Sequence, residues 1–270
     1  TGSLEHVEKM WGAPIAVLCG VLRGLFTAAP GKKLICVDFS AIEAVTLACL
    51  ARCTCRIELF NDPSRCVYTE SASDITGTSI ETYAAYKKQN GTAHPDRKKI
   101  GKVAELASGY QGWINAWKAF GCDMDDAEIK KAILAWREAS PEIVEMWGGQ
   151  YKWCGPGRWD FRPEMHGLEG AVIQAILNPG ECYHVNDISY AVRDDILFCR
   201  LPSGRFLHYH KPRLHDERDK LNRGPSYGIT FEGYNSNPMK GKVGWIRMET
   251  YGGRLFENCI AEGTPVLTDR

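Results

Sequence analysis

Residues 34–43 read Leu-Ile-Cys-Val-Asp-Phe-Ser-Ala-Ile-Glu, and the fold class turns on how this stretch is read. Four apolar residues, Leu34 to Val37, run straight into Asp38, and Glu43 follows five positions later. A turn, "APGKK" at 29–33, precedes the run. A short apolar run bounded by turn residues predicts a buried strand over 33–38. A helix is expected from about Ala41 to Arg52. The two acids then have two readings. Ser40-Ala41-Ile42-Glu43 fits a capping box, in which the serine caps a backbone N–H and the glutamate reaches back. On that reading Asp38 is a satisfied turn residue. On the other, Asp38 stands at the open end of the strand and holds a divalent cation. Magnesium takes hard carboxylate oxygens, usually one or two of them together with substrate phosphates. One acid by itself does not decide between the two.

Outward from this stretch, residues 7–27 read as a helix with Val17, Leu18, Val21, Leu22, Leu25 and Phe26 on one face. Residues 61–80 are polar and turn-rich and read as irregular. A helix is expected over Ile80–Lys88, broken by "QNGTAHPD". Residues 96–120 read as one long helix or a pair. Residues 125–138 read as a helix with Asp125 and Asp126 in its first turn. Ser140 and Pro141 are an N-cap and N1 pair for the next. From about 155 to 255 short alternating runs replace helical periodicity, among them "ILFCRLPSGRFLHYH", "SYGITFEGY" and "WIRMETYGG". These predict hairpins, with "PSGR" as the turn between two strands. A strand, then helices, then hairpins makes an α+β protein rather than a doubly wound sheet.

The totals set bounds. The chain has 270 residues, 44% hydrophobic and 24% charged, ordinary for a soluble globular protein. Thirty-three basic residues balance thirty-three acidic ones, so any polyanion site must be local. No apolar run reaches the ~18 residues that span a bilayer, so no membrane partner is expected. The start lacks a signal-peptide pattern and an initiator Met, which suggests a fragment or a processed piece. The eleven cysteines mostly sit singly in apolar or helical stretches, which suits a reducing cytoplasm. Cys53-Thr54-Cys55 is spaced too closely for a zinc knuckle.

The strongest local charge bias lies between Lys87 and Lys102, where six basic residues face one acid, Asp96. Lys98, Lys102, Leu106 and Tyr110 recur every four residues. At roughly 100° per residue they share one side of an α-helix. Two cations, an apolar residue and an aromatic suit a nucleotide cradle, with phosphates at the cations and a base or sugar at the ring. A solvated basic face with a core-packed leucine and tyrosine fits the same spacing.

Together these segments resemble the family A DNA polymerases, in particular their phage members. "LRGLFTAAPGKKLICVDFSAIEAVTLACLA" is similar to that family's first palm motif, an apolar strand followed by Asp-x-Ser-x-Ile-Glu. "RKKIGKVAELASGYQG" is similar to the nucleotide-binding helix of its fingers. "LPSGRFLHY" and "TYGGRLFEN" resemble later stretches of the phage enzymes, in family order over most of residues 15–258. The resemblance implies an incomplete palm, an antiparallel sheet, with helical fingers. It divides the chain into a palm part at 1–60, fingers at 61–155 and further hairpins and helices at 156–258. The implied chemistry is magnesium-dependent addition of deoxynucleotides to a primer 3′-hydroxyl, a phosphoryl transfer that needs mainly positioning and charge stabilisation. The implied partners are a DNA primer-template and deoxynucleoside triphosphates. Asp38 would be the metal-binding and catalytic acid, and Glu43 would lie against the incoming sugar. Lys102 would contact the triphosphate, with Lys98 or Arg97 as its basic partner. The family's arginine falls where this chain has Lys98, and Arg97 is one place off. Leu106 stands where many relatives carry Phe or Tyr. Tyr110 would stack near the templating position, and Arg205 would contact nucleic acid or the fingers.

The family's second metal-binding acid comes in a His-Asp-Glu hairpin. His215-Asp216-Glu217 matches those letters but precedes "TYGGRLFEN" instead of following it, and its charged surroundings predict a solvated loop. The second acid is therefore expected outside this chain. After Glu257-Asn258 the sequence "CIAEGTPVLTDR" resembles the first block of an intein over 259–270, with Cys259 as the splicing nucleophile and a short β tail. A C-terminal polymerase or intein half is then a further expected partner. The alternative function is a non-catalytic DNA-binding subunit that keeps the polymerase fold, expected to be indifferent to Asp38.

Overall fold

The computed structural model describes residues 3–12, 14–153, 159–218 and 225–268. The chain divides into two compact units, 1–40 and 41–270. The first holds two short helices, α1 (Leu4–Trp11) and α2 (Pro14–Leu25). Ser3 caps α1 by accepting from the N–H of His6, and Gly12 at φ 90° ends it. The single helix expected over 7–27 is thus broken at a residue whose left-handed backbone only glycine adopts cheaply.

Residues 33–38 form no strand. Strand backbone is held by a neighbour's ladder. Among the described residues both sheets are built from later segments, and neither has 33–38 as a member. Local composition, here four apolar residues in a row, does not supply that neighbour.

The second unit opens with helices: α3 (Ile42–Ala51), α4 (Thr54–Asn61), α5 (Val67–Thr76) and α6 (Ile80–Asn90). Residues 61–80, expected to be irregular, contain α5. Its sequence, VYTESASDIT, is rich in Ser and Thr, which favour caps over helix interiors. Tertiary packing supplies what propensity lacks, with Val67, Tyr68, Ser71 and Ala72 buried along one stripe. Next comes a π-helical segment, Arg97–Lys102, running directly into α7 (Val103–Ser108). After it come α8 (Ile114–Ala119), α9 (Asp126–Glu138) and α10 (Pro141–Trp147). Asp125 and Glu128 close a full capping box on α9. Ser140 is the N-cap residue of α10 with Pro141 at N1, as its sequence indicates.

A two-stranded ribbon, β1 (Gly149–Trp153) with β2 (Trp159–His166), leads into α11 (Gly167–Leu177), in the region expected to hold hairpins and helices. The domain boundary expected at 155–156 lies outside the described residues. Then six strands follow in simple order: β3 (Cys182–Val185), β4 (Ile188–Arg193), β5 (Ile196–Arg200), β6 (Phe206–Arg218), β7 (Pro225–Asn235) and β8 (Gly244–Thr250). All neighbours are antiparallel, so the α+β class holds. Leu201–Arg205 is the turn between β5 and β6, closed by Leu201 N–H to Arg205 O with Gly204 at φ 83°.

One face of this sheet is the core face. Tyr190, Leu197, Cys199 and Tyr209 alternate inward and join Leu168, Val172 and Ile173 of α11. The last helix, α12 (Gly252–Thr268), adds Leu255, Phe256, Cys259 and Ile260. Two expectations are corrected here. His215-Asp216-Glu217 lies within β6, paired with Gly228, Tyr227 and Ser226 of β7, and is strand where a solvated loop was expected. Pairing with the β7 backbone supplies the ladder that holds this charged stretch extended. The tail is helix through Thr268 where a β tail was expected from Cys259 onward. Leu255, Phe256, Cys259 and Ile260 recur at helical spacing and bury one stripe, which carries the helix past Cys259.

Candidate nucleotide site

The π-helical segment is the part of the fold that presents basic side chains. Its i→i+5 pattern is rare and is frequent at functional sites where it does occur. Here it widens the helix where Gly101 meets α5. A Cβ at Gly101 would lie 1.7 Å from the carbonyl oxygen of Tyr68, so glycine is needed for the close approach. The straight α-helix expected through Lys98 and Lys102 is therefore corrected in its first turn, and the 100° spacing holds only from Val103 onward.

The structure sorts the basic residues. Lys98 and Lys102 are exposed, and neither has an ion pair among the described residues. Lys99 pairs with Asp123 at 3.5 Å. Arg97 turns back onto α5, its Nε donating to Cys66 Sγ at 3.3 Å and its guanidinium lying 5.2 Å from the centre of the Tyr68 ring. Burial pushes the Cys66 thiol up, but bonds from Thr69 and Arg97 outweigh it, and the net shift is down. Arg97 and Lys87 also line a cavity of about 500 Å³ with His94, Tyr83 and Arg65.

Beyond the cations, Leu106 is half-buried, and the Tyr110 hydroxyl donates to Glu43 Oε2 at 3.5 Å. Burial, then the charges of Glu43 and Glu257, push the Tyr110 phenol well above its ordinary range. Glu43 is available for this contact because the capping box does not form. The N-cap of α3 is Ala41, in a left-handed conformation at φ 52°, with no side-chain cap. Glu43 and Tyr110, separated by most of the helical half in sequence, are thus neighbours.

Behind the exposed face is a buried network that the sequence reading did not single out. Glu105 is on α7, and its carboxylate pairs with Arg56 of α4 and accepts from Ser71 of α5. Trp136 Nε1 of α9 donates to it at 2.9 Å. Arg56 Nε in turn donates to Ser140 Oγ at 3.0 Å, and its guanidinium lies over the Trp136 ring. The available signal was one acid inside the small and apolar run "VAELASG", four residues after Gly101. A charge so placed is fully buried only when paired.

The loop after α7 is clamped as well. Trp147 Nε1 donates to Gly109 O at 2.8 Å, and Arg137 Nη2 donates to the carbonyls of Gln111 and Gly112. Burial lowers Arg137 to about 10. Gln111 Oε1 accepts from Gly253 N–H at 2.9 Å, and a Cβ on Gly253 would lie 2.3 Å from Tyr110 O. The stretches "SGYQG" and "TYGGRLFEN", both singled out by resemblance, therefore meet in space.

The remaining expected residues lie elsewhere. Arg205 sits in the β5–β6 turn and pairs with Glu262 of α12. Cys259 is fully buried, 3.6 Å from the Tyr190 hydroxyl and 3.8 Å from Cys199 Sγ. Asp38 belongs to the first unit, in residues without regular structure. It is the right donor type for magnesium, but no cluster of three or more metal-ligating side chains forms among the described residues.

No family model matches the chain, and no solved structure matches it. It is similar to the DNA polymerase of Bacillus phage SP02, 32% identical over 262 residues, covering 96% of this chain and 35% of that protein. The chain spans about a third of the length of that curated relative. The similarity supports reading the chain as a DNA polymerase fragment.

Proposed function

We propose that the chain is the incoming-nucleotide part of a phage DNA-directed DNA polymerase of family A. The observation that carries the reading is the sorting of charge on residues 97–110. Lys98 and Lys102 stay exposed and without ion pairs among the described residues, while the same segment's inner face is fixed by Gly101 and Glu105. In this reading Lys102 and Lys98 hold the triphosphate, and Arg97 stiffens the segment through Cys66 and Tyr68. Glu43 and Tyr110 form the wall against which the sugar and base pair rest. A carboxylate at the sugar edge disfavours a 2′-hydroxyl competing for the same space. Residues 61–155 act as fingers, residues 1–60 and the β3–β8 sheet as palm-side structure, and Asp38 as one magnesium ligand. Bound magnesium would neutralise triphosphate charge, and the second acid would come from polymerase sequence outside these residues. Asp216, in β6, competes for that role by its motif alone.

Binding of a fluorescent deoxynucleoside triphosphate tests the reading. Lys102→Ala should weaken it at least tenfold, and Glu43→Ala should narrow the preference for deoxy- over ribonucleotide. Indifference to Lys102→Ala sinks the nucleotide site. In the whole polymerase Asp38→Ala should abolish primer extension, whereas Asp216→Asn should not. Retained function with Asp38→Ala would favour the non-catalytic DNA-binding subunit.

A second reading concerns Cys259 as the first residue of an intein. Gly263 and Pro265 favour it, because they are the two poorest helix formers and lie inside α12 against their own preference. Splicing needs Cys259 to leave the buried position and its thiol to attack the Asn258 carbonyl, which breaks the Asn258–Cys259 peptide bond, frees the protonated Cys259 amine and leaves a thioester. Dithiothreitol should then cleave a precursor that includes the downstream sequence between Asn258 and Cys259. Absence of that cleavage removes the intein.

A further inference from the structure

The outer face of the six-stranded sheet is unlike an ordinary solvated face. Antiparallel pairing fixes what lies there: Ser189, Ala191 and Arg193 on β4, then Phe198 and Arg200 on β5, then Phe206 and His208 on β6. Ser189↔Arg200, Ala191↔Phe198, Phe198↔His208 and Arg200↔Phe206 are direct partners, so all seven side chains project to one side. Small residues on β4 leave a trough of about 740 Å³ beside the aromatic ones, within the size of small-molecule and nucleotide sites. Phe206 is 51% exposed, its ring 6.3 Å from that of Phe198, and His208 lies 5.0 Å from Phe198 on the other side. Arg193, Arg200 and Arg205 edge the trough.

Among the described residues, the acid left without an ion pair on this face is Glu249 on β8, two strands beyond the trough. Glu232, farther along the sheet, is taken by Lys211 and Arg247, and Asp195 by Arg213. Arg205 is shared with Glu262. Arg193 and Arg200 have no ion pair among the described residues and are exposed beside the open ring of Phe206 and the half-buried ring of Phe198. Core packing does not explain that arrangement, because the core lies on the sheet's other face.

We propose that this face binds single-stranded DNA, with bases stacked on Phe206 and Phe198 and phosphates held by Arg200 and Arg193. A flat π-face is what an unpaired base offers and what a base inside a duplex does not. Base–aromatic stacking next to a basic groove is the general solution for strand binding without sequence preference. An acidic peptide would satisfy the arginines but leave the rings without a flat partner. The surface is separate from the nucleotide site, and binding there does not require the polymerase reading to hold.

Fluorescence anisotropy of a labelled oligothymidylate of about ten nucleotides tests it, a length within usual single-strand site sizes. Phe206→Ala is expected to weaken binding about tenfold. The pair Arg193→Glu, Arg200→Glu should abolish it at the same salt, and the wild-type affinity should fall steeply as salt rises. Lys102→Ala should leave it unchanged, while triphosphate binding, read separately, reports on the other site. Melting by circular dichroism checks folding, and the charge-reversal pair, at exposed positions, decides the matter if Phe206→Ala is unstable. Equal binding of a duplex of the same length, equal competition by a polyglutamate peptide, or indifference to both variants would overturn the proposal.

Discussion

The two sides of residues 97–110 are built on opposite rules. The inner side is closed: Gly101 touches Tyr68 backbone, and Glu105 is satisfied by Arg56, Ser71 and Trp136. The outer side is open, with Lys98 and Lys102 exposed and Tyr110 making one long hydrogen bond. The contrast separates what holds a helix in place from what the helix can hold. A buried charge is costly unless paired, so the inner side admits no vacancy. An exposed lysine costs little and keeps its charge for a ligand.

The sharpest way to break this division is Glu105→Ala. It leaves the Arg56 guanidinium buried without its carboxylate and should cost about 3–5 kcal/mol in urea unfolding. Replacing both, Glu105→Leu with Arg56→Met, should restore much of that loss. If the double variant is no better than the single, the pair is not what holds α4 to α7. Gly101→Ala comes next. Its methyl would meet backbone, which cannot yield as a side chain can, and overpacking of this kind costs about 1–3 kcal/mol. A melting temperature equal to wild type would show that the π-helical segment shifts freely against α5.

On the outer side Lys102→Ala should leave unfolding within about 0.5 kcal/mol of wild type, the usual range for surface changes. Its effect should appear only in triphosphate binding. A loss of stability instead would place Lys102 in the scaffold. Tyr110→Phe is the smallest change, removing a 3.5 Å bond at a cost below about 1 kcal/mol. It also carries a sign. Burial and Glu43 raise the phenol above its unfolded value, so the native state keeps the proton longer. Stability from this group is complete below the ordinary tyrosine range and falls as pH rises through it toward the raised value. Between pH 9 and 11 the wild type should therefore lose more stability than Tyr110→Phe. Equal losses would show that Tyr110 is solvated.

Much of this was legible in the chain itself. Pro141 and the first-turn acid Asp126 mark the starts of their helices because helix-start preferences are local chemistry. Alternation in "ILFCRLPSGRFLHYH" gave the β5–β6 hairpin, since a strand's two faces alternate residue by residue. The basic run and the Tyr-x-Gly end marked the segment proposed to hold the nucleotide. Other features resisted because their cause lies far away in sequence. The helix α5 is polar and forms because Gly101 lets another segment cross it closely. Residues 33–38 have strand composition and, among the described residues, no strand partner. Ser40 reads as a cap, yet Ala41 takes the position and releases Glu43 to Tyr110.

Local preferences and periodicity in the sequence determined the α+β class, the starts of α3, α6, α9 and α10, the hairpins and the identity of the basic face. Only the tertiary structure decided which of the basic residues are free, that Glu105 is the buried anchor, and that the outer sheet face gathers Phe198, Phe206, Arg193 and Arg200. The reason is physical: propensity and alternation act between residues a few places apart. Burial, ion pairing and strand partnership depend on segments that the chain brings together only on folding.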